Sequence, residues 1–119
     1  MHAIVIFLLY ANAGWDLLSA AAIALNCNTI ARWHTDLWTD EENRTNPAAR
    51  ALMGWLLVAL GLARLAAAID PSLYLACGIV SYVLEGWFAL LSTSSNAMKQ
   101  FEGTVVALRS FGLAGLMII

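Results

Sequence analysis

The chain has little charge, few histidines and few cysteines, and each shortage excludes a class of protein. Only 12% of its 119 residues are charged, and the net charge is −2. A charge this small and mixed argues against a nucleic-acid partner. The two cysteines, Cys27 and Cys77, are expected near opposite ends of the fold. They therefore predict no disulfide framework and are interpreted as small packing residues.

Motifs for catalysis and for metal binding are also missing. No Cys/His spacing suits a metal ion, and the two histidines, His2 and His34, are expected at opposite sides of the fold, so a haem held by two histidines is not expected. The sequence has no Gly-rich phosphate loop and no nucleophile elbow. We predict a protein that is not an enzyme and that holds no metal.

What the chain has in quantity is long hydrophobic runs. Hydrophobic residues make up 61% of it, in four blocks at positions 3–26, 48–69, 72–92 and about 101–119. A helix rises ~1.5 Å per residue, so about 20 residues cross the ~30 Å of hydrocarbon in a bilayer. A soluble domain of this size could not bury so much apolar surface. We predict an all-α integral membrane four-helix bundle that forms a single domain over residues 1–119.

Polar segments separate the four predicted spans. Asn46-Pro47 and Asp70-Pro71 each combine a favourable N-cap with proline for the first helical turn, and the short second connection makes spans 2 and 3 antiparallel neighbours. Between spans 1 and 2, Trp33 and Trp38 recur with other apolar residues at helical spacing, which predicts a short helix in the membrane interface.

Lysine and arginine are unevenly distributed between the two predicted ends of the bundle. The end with the long loop holds four, Arg32, Arg44, Arg50 and Lys99, and the other end has Arg64 at most. Positive residues favour the cytoplasmic side. The long loop is therefore predicted to face the cytosol, stroma or matrix, with both termini on the opposite side.

Four charged residues fall inside predicted spans, where each costs ~2.5–3.5 kcal/mol near a helix centre and needs a structural or functional reason. Counted along the helices, Asp16, Glu85 and Arg109 fall at similar depth and predict one charge layer, with a Glu85–Arg109 ion pair. Arg64 falls nearer the other face, where it is expected to extend to the headgroups or to reach Asp70.

The layer has three open interpretations: an ion pair that locks helices together, a contact for a ligand or partner helix, and a path for protons or ions. Asn12 lies four residues before Asp16 on the same helix face. It is predicted, with Arg64, to make polar contacts between helices.

The middle half of the chain resembles the ergosterol biosynthetic protein 28 family, small four-span proteins of the endoplasmic reticulum. The residues that carry the resemblance are Ala49-Arg50, Gly54-Trp55, Arg64, Ala67-Ala68-Ile69-Asp70, Leu73-Tyr74, Gly86 and Phe88, with Leu37-Trp38-Thr39 upstream. The chain departs from the family late in span 3, where Trp87 and Leu91 replace a histidine and a glutamate, and it lacks the basic C-terminal tail. The resemblance implies a non-catalytic scaffold that tethers the enzymes of sterol C-4 demethylation in that membrane.

Three functions fit these observations. The first is a non-enzymatic membrane scaffold or accessory subunit, whose partners are other integral membrane proteins and lipids and which needs no cofactor. The second is an accessory subunit that holds chlorophyll, another pigment or another cofactor in a photosynthetic or respiratory complex of a thylakoid or inner mitochondrial membrane. The third is a small lipid-binding protein or transporter. The candidate pigment ligands under the second function are Glu85, Asn12, His34 and Gln100.

Overall fold

Four long helices and two short ones make up the fold. The structure is a computed structural model, and it describes residues 2–119. In chain order the helices are α1 (Ala3–Ala24), α2 (Asn28–Thr35), α3 (Glu41–Thr45), α4 (Pro47–Ile69), α5 (Pro71–Ser94) and α6 (Gln100–Ile118). The predicted all-α bundle is confirmed. α1, α4, α5 and α6 are each long and apolar enough to cross a membrane.

Local signals in the sequence explain where α3 and α4 begin. The Asn46 side chain accepts hydrogen bonds from the backbone N–H groups of Ala48 (2.9 Å) and Ala49 (3.2 Å), and Pro47 fills the first turn of α4, as predicted. Asp40 caps α3 in the same way through the N–H of Glu42. The expected cap of α5 is not formed, because the Asp70 carboxylate instead accepts from the Ser72 hydroxyl at 2.6 Å.

The two ends of the bundle differ in complexity. We call the end with α2, α3 and the α5–α6 turn the loop face, and the end with the α4–α5 turn the turn face. At the loop face, the segment after α2 joins the α5–α6 turn: Trp38 and Met98 form an antiparallel bridge, and Lys99 N–H donates to the Leu37 carbonyl at 2.7 Å. This contact ties the long loop to the second half of the bundle.

Alanine and glycine allow close helix crossings within a core that also contains larger apolar side chains. α1 packs on α4, α4 on α5 and α5 on α6. A Cβ atom added to Gly61 would come within 2.9 Å of Leu17 Cγ, and one added to Gly78 within 2.8 Å of Ala67 Cβ. Glycine therefore lets α4 approach α1 and α5 closely, as small residues do between membrane helices. These crossings bring the polar side chains of the spans within reach of one another.

Candidate functional site: an intramembrane charge layer and the cavity beside it

Arg64 is the centre of the charge layer, and its side chain is fully buried. Its guanidinium donates three hydrogen bonds, to Asp16 Oδ2 at 2.6 Å, to Glu85 Oε2 at 3.0 Å and to Ser81 Oγ at 3.1 Å. Its Cζ atom lies 3.9 Å from the centroid of the Tyr82 ring, which is cation–π contact distance. One side chain of α4 thus joins α1 to α5.

Arg64 makes the polar contacts between helices that were predicted for it, but its location corrects the prediction that it extends to the headgroups of the turn face or reaches Asp70. Side chains lean toward the N-terminus of their own helix. α4 begins at the loop face, so Arg64 leans toward it. α1 and α5 begin at the turn face, so Asp16 and Glu85 lean toward Arg64. Counting residues along the axis misses these opposed directions, and they bring the three charged groups into contact.

Glu85 extends the network to α6. Its Oε1 atom accepts from Arg109 at 3.0 Å and from the Ser110 hydroxyl at 2.6 Å. The predicted Glu85–Arg109 contact is therefore present. The two arginines differ in exposure, because the Arg109 side chain is 48% exposed whereas that of Arg64 is 0% exposed. Arg109 is a peripheral member of the layer, and it contacts Glu85 but is not hydrogen-bonded to Asp16.

Three uncharged members of the layer were not predicted. Ser110 is fully buried, and Ser81 both accepts from Arg64 and donates to the Gly78 carbonyl at 2.7 Å. A serine in an apolar helix carries no distinctive sequence signal. Ser81 could still have been found, because it precedes Glu85 by four residues and so shares its helix face. Tyr82 packs its ring against Arg64, and it was not predicted because the prediction was based on charged residues.

Asn12 does not make the polar contact between helices that was predicted. Its amide donates to the Leu8 carbonyl of its own helix at 2.8 Å. An asparagine amide can donate a hydrogen bond to a carbonyl of the preceding turn in this way, so it needs no partner on another helix. Asn12 lies outside the charge layer although it precedes Asp16 by one turn.

The other candidate pigment ligands are dispersed. Gln100 donates to the Thr93 carbonyl at 2.7 Å and to Asn96 Oδ1 at 2.9 Å, and Glu85 is occupied by the two arginines. His34 and Glu85 both line a cavity, and of the two only His34 has a buried atom, Nδ1, without a hydrogen-bond partner among the described residues. Within residues 2–119 no cluster of three or more His, Cys, Asp or Glu side chains is placed to hold a metal ion.

A cavity of about 280 Å³ opens beside the charge layer, on the side of the loop face. Its walls are mostly apolar and come from all four long helices and α2. Glu85 and Arg109 lie at one end, and Trp15, His34 and Trp38 form an aromatic wall. Burial lowers the pKa of His34 below its ordinary value, because the imidazolium loses hydration there; the nearby Glu85 opposes this shift. His34 is thus a neutral group at pH 7.

No protein-family model, curated protein or solved structure matches this chain. The resemblance described above therefore depends on the residues that carry it.

Proposed function

We propose that this protein is a non-enzymatic integral membrane scaffold or accessory subunit that binds other membrane proteins through the outer surfaces of its helices. The observation that carries the proposal is the contrast between the interior and the surface. The charged groups inside the bundle bind one another, whereas large apolar side chains point outward. Only 28–33% of the residues in each span are buried within the chain itself.

Two outward tryptophans support contact with partner helices. Trp55 on α4 is 73% exposed and Trp87 on α5 is 55% exposed. They lie about 12 and 10 Å from the loop-face ends of their helices at ~1.5 Å per residue. Tryptophan in a lipid-facing position prefers the headgroup region. Broad aromatic surfaces deeper than that region suit packing against another protein.

The charge layer supports the same proposal by making the bundle rigid. The layer is one connected network of four charged side chains, one from each long helix: Asp16, Arg64, Glu85 and Arg109. A scaffold needs its helices in fixed relative positions, because its partners bind to the outer surface that the helices form. We therefore favour the structural interpretation of the layer over a path for protons or ions.

The partners are proposed to be integral membrane enzymes. The family resemblance implies that the partners are the enzymes of sterol C-4 demethylation and that the membrane is the endoplasmic reticulum. Gly54-Trp55 and Arg64 are among the residues that carry the resemblance. Trp55 is on the outer surface, and Arg64 holds the helices together from within. The residues that carry the resemblance thus include one proposed to contact partners, Trp55, and one that holds the helices together, Arg64.

Affinity purification from native membranes in mild detergent tests the proposal. The tagged full chain should recover a small set of integral membrane proteins. Trp55→Ala with Trp87→Ala should lower their recovery severalfold without lowering accumulation of the chain. Leu108→Ala is the matched control, since Leu108 is 70% exposed on α6, a helix that carries neither tryptophan. A monodisperse monomer that recovers no partner, or equal losses in test and control variants, would contradict the proposal.

A further inference from the structure

The cavity beside the charge layer contains polar groups that the fold leaves unsatisfied. Trp38 Nε1 and His34 Nδ1 are buried and have no hydrogen-bond partner among the described residues, and both side chains line the cavity. A buried N–H without a partner costs free energy comparable to that of a lost hydrogen bond. A ligand oxygen that accepts from the Trp38 N–H would remove this cost for Trp38.

The rest of the wall is apolar. Met53, Leu56 and Leu60 line it from α4, and Phe88 from α5. Trp33 and Phe101 also line the cavity and are 70% and 76% exposed, so they form its outer rim between α2 and α6. Ligand sites commonly combine such walls with a few polar groups that fix orientation. The ligand must therefore have a long apolar body and a small polar end.

The charges around the cavity select the polar end. Arg109 supplies a half-exposed guanidinium, but its charge is shared with Glu85, and Glu102 adds a second carboxylate to the lining. His34 is neutral. An anionic headgroup would meet two carboxylates and one cation that is already paired, and a cationic headgroup would meet Arg109 and the Trp38 N–H. A neutral group is repelled neither by the two carboxylates nor by Arg109, and its oxygen can accept from the Trp38 N–H.

We propose that the cavity binds a neutral lipid whose polar end is a single hydroxyl or carbonyl group. The lipid oxygen accepts from Trp38 Nε1 and contacts His34, and its apolar body lies along α4 and α5 and reaches the bilayer past Trp33 and Phe101. This binding site does not depend on the proposed scaffold function, and either can fail alone.

Quenching of tryptophan fluorescence by brominated lipids tests the proposal on the full chain in detergent micelles. Trp55→Phe and Trp87→Phe first remove the two outward tryptophans and leave Trp15, Trp33 and Trp38 at the cavity. The probes are 9,10-dibromostearyl alcohol, the corresponding acid at pH 8 and the corresponding dibromoalkane. We expect saturable quenching by the alcohol that octadecanol reverses. We expect at least ~10-fold weaker binding of the acid, the equivalent of ~1.4 kcal/mol, and no saturable quenching by the alkane.

Two variants locate the site. Trp38→Phe keeps an aromatic side chain but removes the N–H, and it should weaken alcohol binding about fivefold, the usual worth of one neutral hydrogen bond. Val105→Phe adds bulk to a cavity-lining residue that is already 47% exposed, and it should abolish saturation. Leu108→Phe, on the same helix but not in the lining, is the matched control. Quenching that rises linearly with all three probes, equal binding of acid and alcohol, or binding unchanged in both variants would overturn the proposal.

Discussion

Arg64 makes three hydrogen bonds in the described charge layer, as many as Glu85, and its side chain is fully buried. Three hydrogen bonds and the Tyr82 ring replace its hydration. Asp16 depends on it most, because Arg64 is its one ion-pair partner in the described structure, whereas Glu85 also binds Arg109 and Ser110. Removal of Arg64 therefore leaves Asp16 as an uncompensated charge.

The first prediction ranks the two arginines. Arg64→Met should lower the free energy of unfolding by ~3–5 kcal/mol, the cost of breaking a buried ion pair by removing one partner. Asp16→Asn added to Arg64→Met should recover part of this loss. Arg109→Leu should cost clearly less, since Arg109 is half exposed and Glu85 keeps Arg64. Unfolding by increasing SDS mole fraction in mixed micelles measures all three variants. An Arg109→Leu loss as large as that of Arg64→Met would show that the network is not centred on Arg64.

The second prediction concerns the protonation of His34. Its pKa is lowered by burial, so the folded protein binds this proton less readily than the unfolded chain, whose histidine titrates near ~6.5. The stability that depends on neutral His34 is then present above pH ~6.5 and is lost as the pH falls below it. NMR titration of histidine-labelled protein should show the His34 signal changing below pH 6.5, with His2→Gln to assign it. A His34 pKa at or above 6.5 would contradict the buried position.

At the scale of helices, the sequence was sufficient for the spans but not for their contacts. The predicted blocks at 48–69 and 72–92 become Pro47–Ile69 and Pro71–Ser94, because hydropathy and the Asn46-Pro47 and Asp70-Pro71 signals act locally. To predict the contacts of Arg64, the relative directions of three helices, α1, α4 and α5, had to be taken into account. To predict that the Asn12 amide donates to the Leu8 carbonyl of its own helix, the side-chain geometry had to be known. The spacing of residues in the sequence gives neither the helix directions nor the side-chain geometry.

The third prediction tests the close crossing of α4 and α5. An added Cβ at Gly78 would lie 2.6 Å from Met117 Cε, which is the flexible end of a side chain, and 2.8 Å from Ala67 Cβ, which can move away only if the backbone of α4 moves. Gly78→Ala should therefore destabilise the bundle by about 1–3 kcal/mol, the usual cost of overpacking, despite the gain in helix propensity. Ala67→Gly added to it should restore part of the loss.

Gly112→Ala is the matched control for this crossing, because an added Cβ there would meet no atom within 4 Å. It should leave stability unchanged or raise it by up to ~1 kcal/mol through helix propensity. Equal behaviour of Gly78→Ala and Gly112→Ala in SDS unfolding would mean that α4 and α5 do not approach as closely as described.

At the scale of the whole molecule, the two halves of the chain are joined at both ends and at mid-depth. The Trp38–Met98 bridge joins them at the loop face, and the charge layer joins them inside. Near the turn face, Val5, Ala68 and Met117 belong to one apolar cluster drawn from α1, α4 and α6. Because the two halves are joined at three separate levels, the loss of one contact need not release the others, and single variants should be measurable without complete unfolding.

The fourth prediction is the orientation of the bundle in its membrane. Arg32, Arg44, Arg50 and Lys99 all lie at the loop face, and such an excess favours the cytosolic side or its organellar equivalent. The test uses vesicles sealed with the cytosolic face of the membrane inward. In a chain with Cys27 and Cys77 changed to serine, Asn43→Cys should resist an impermeant maleimide there until the membrane is permeabilised, and Ser72→Cys, exposed at the turn face, should react at once in the same sealed vesicles. Both positions are polar and exposed, so each controls for the reactivity of the other. Immediate labelling at Asn43→Cys with protection at Ser72→Cys would reverse the orientation. It would also move the tryptophan surface that we propose for partners to the opposite leaflet.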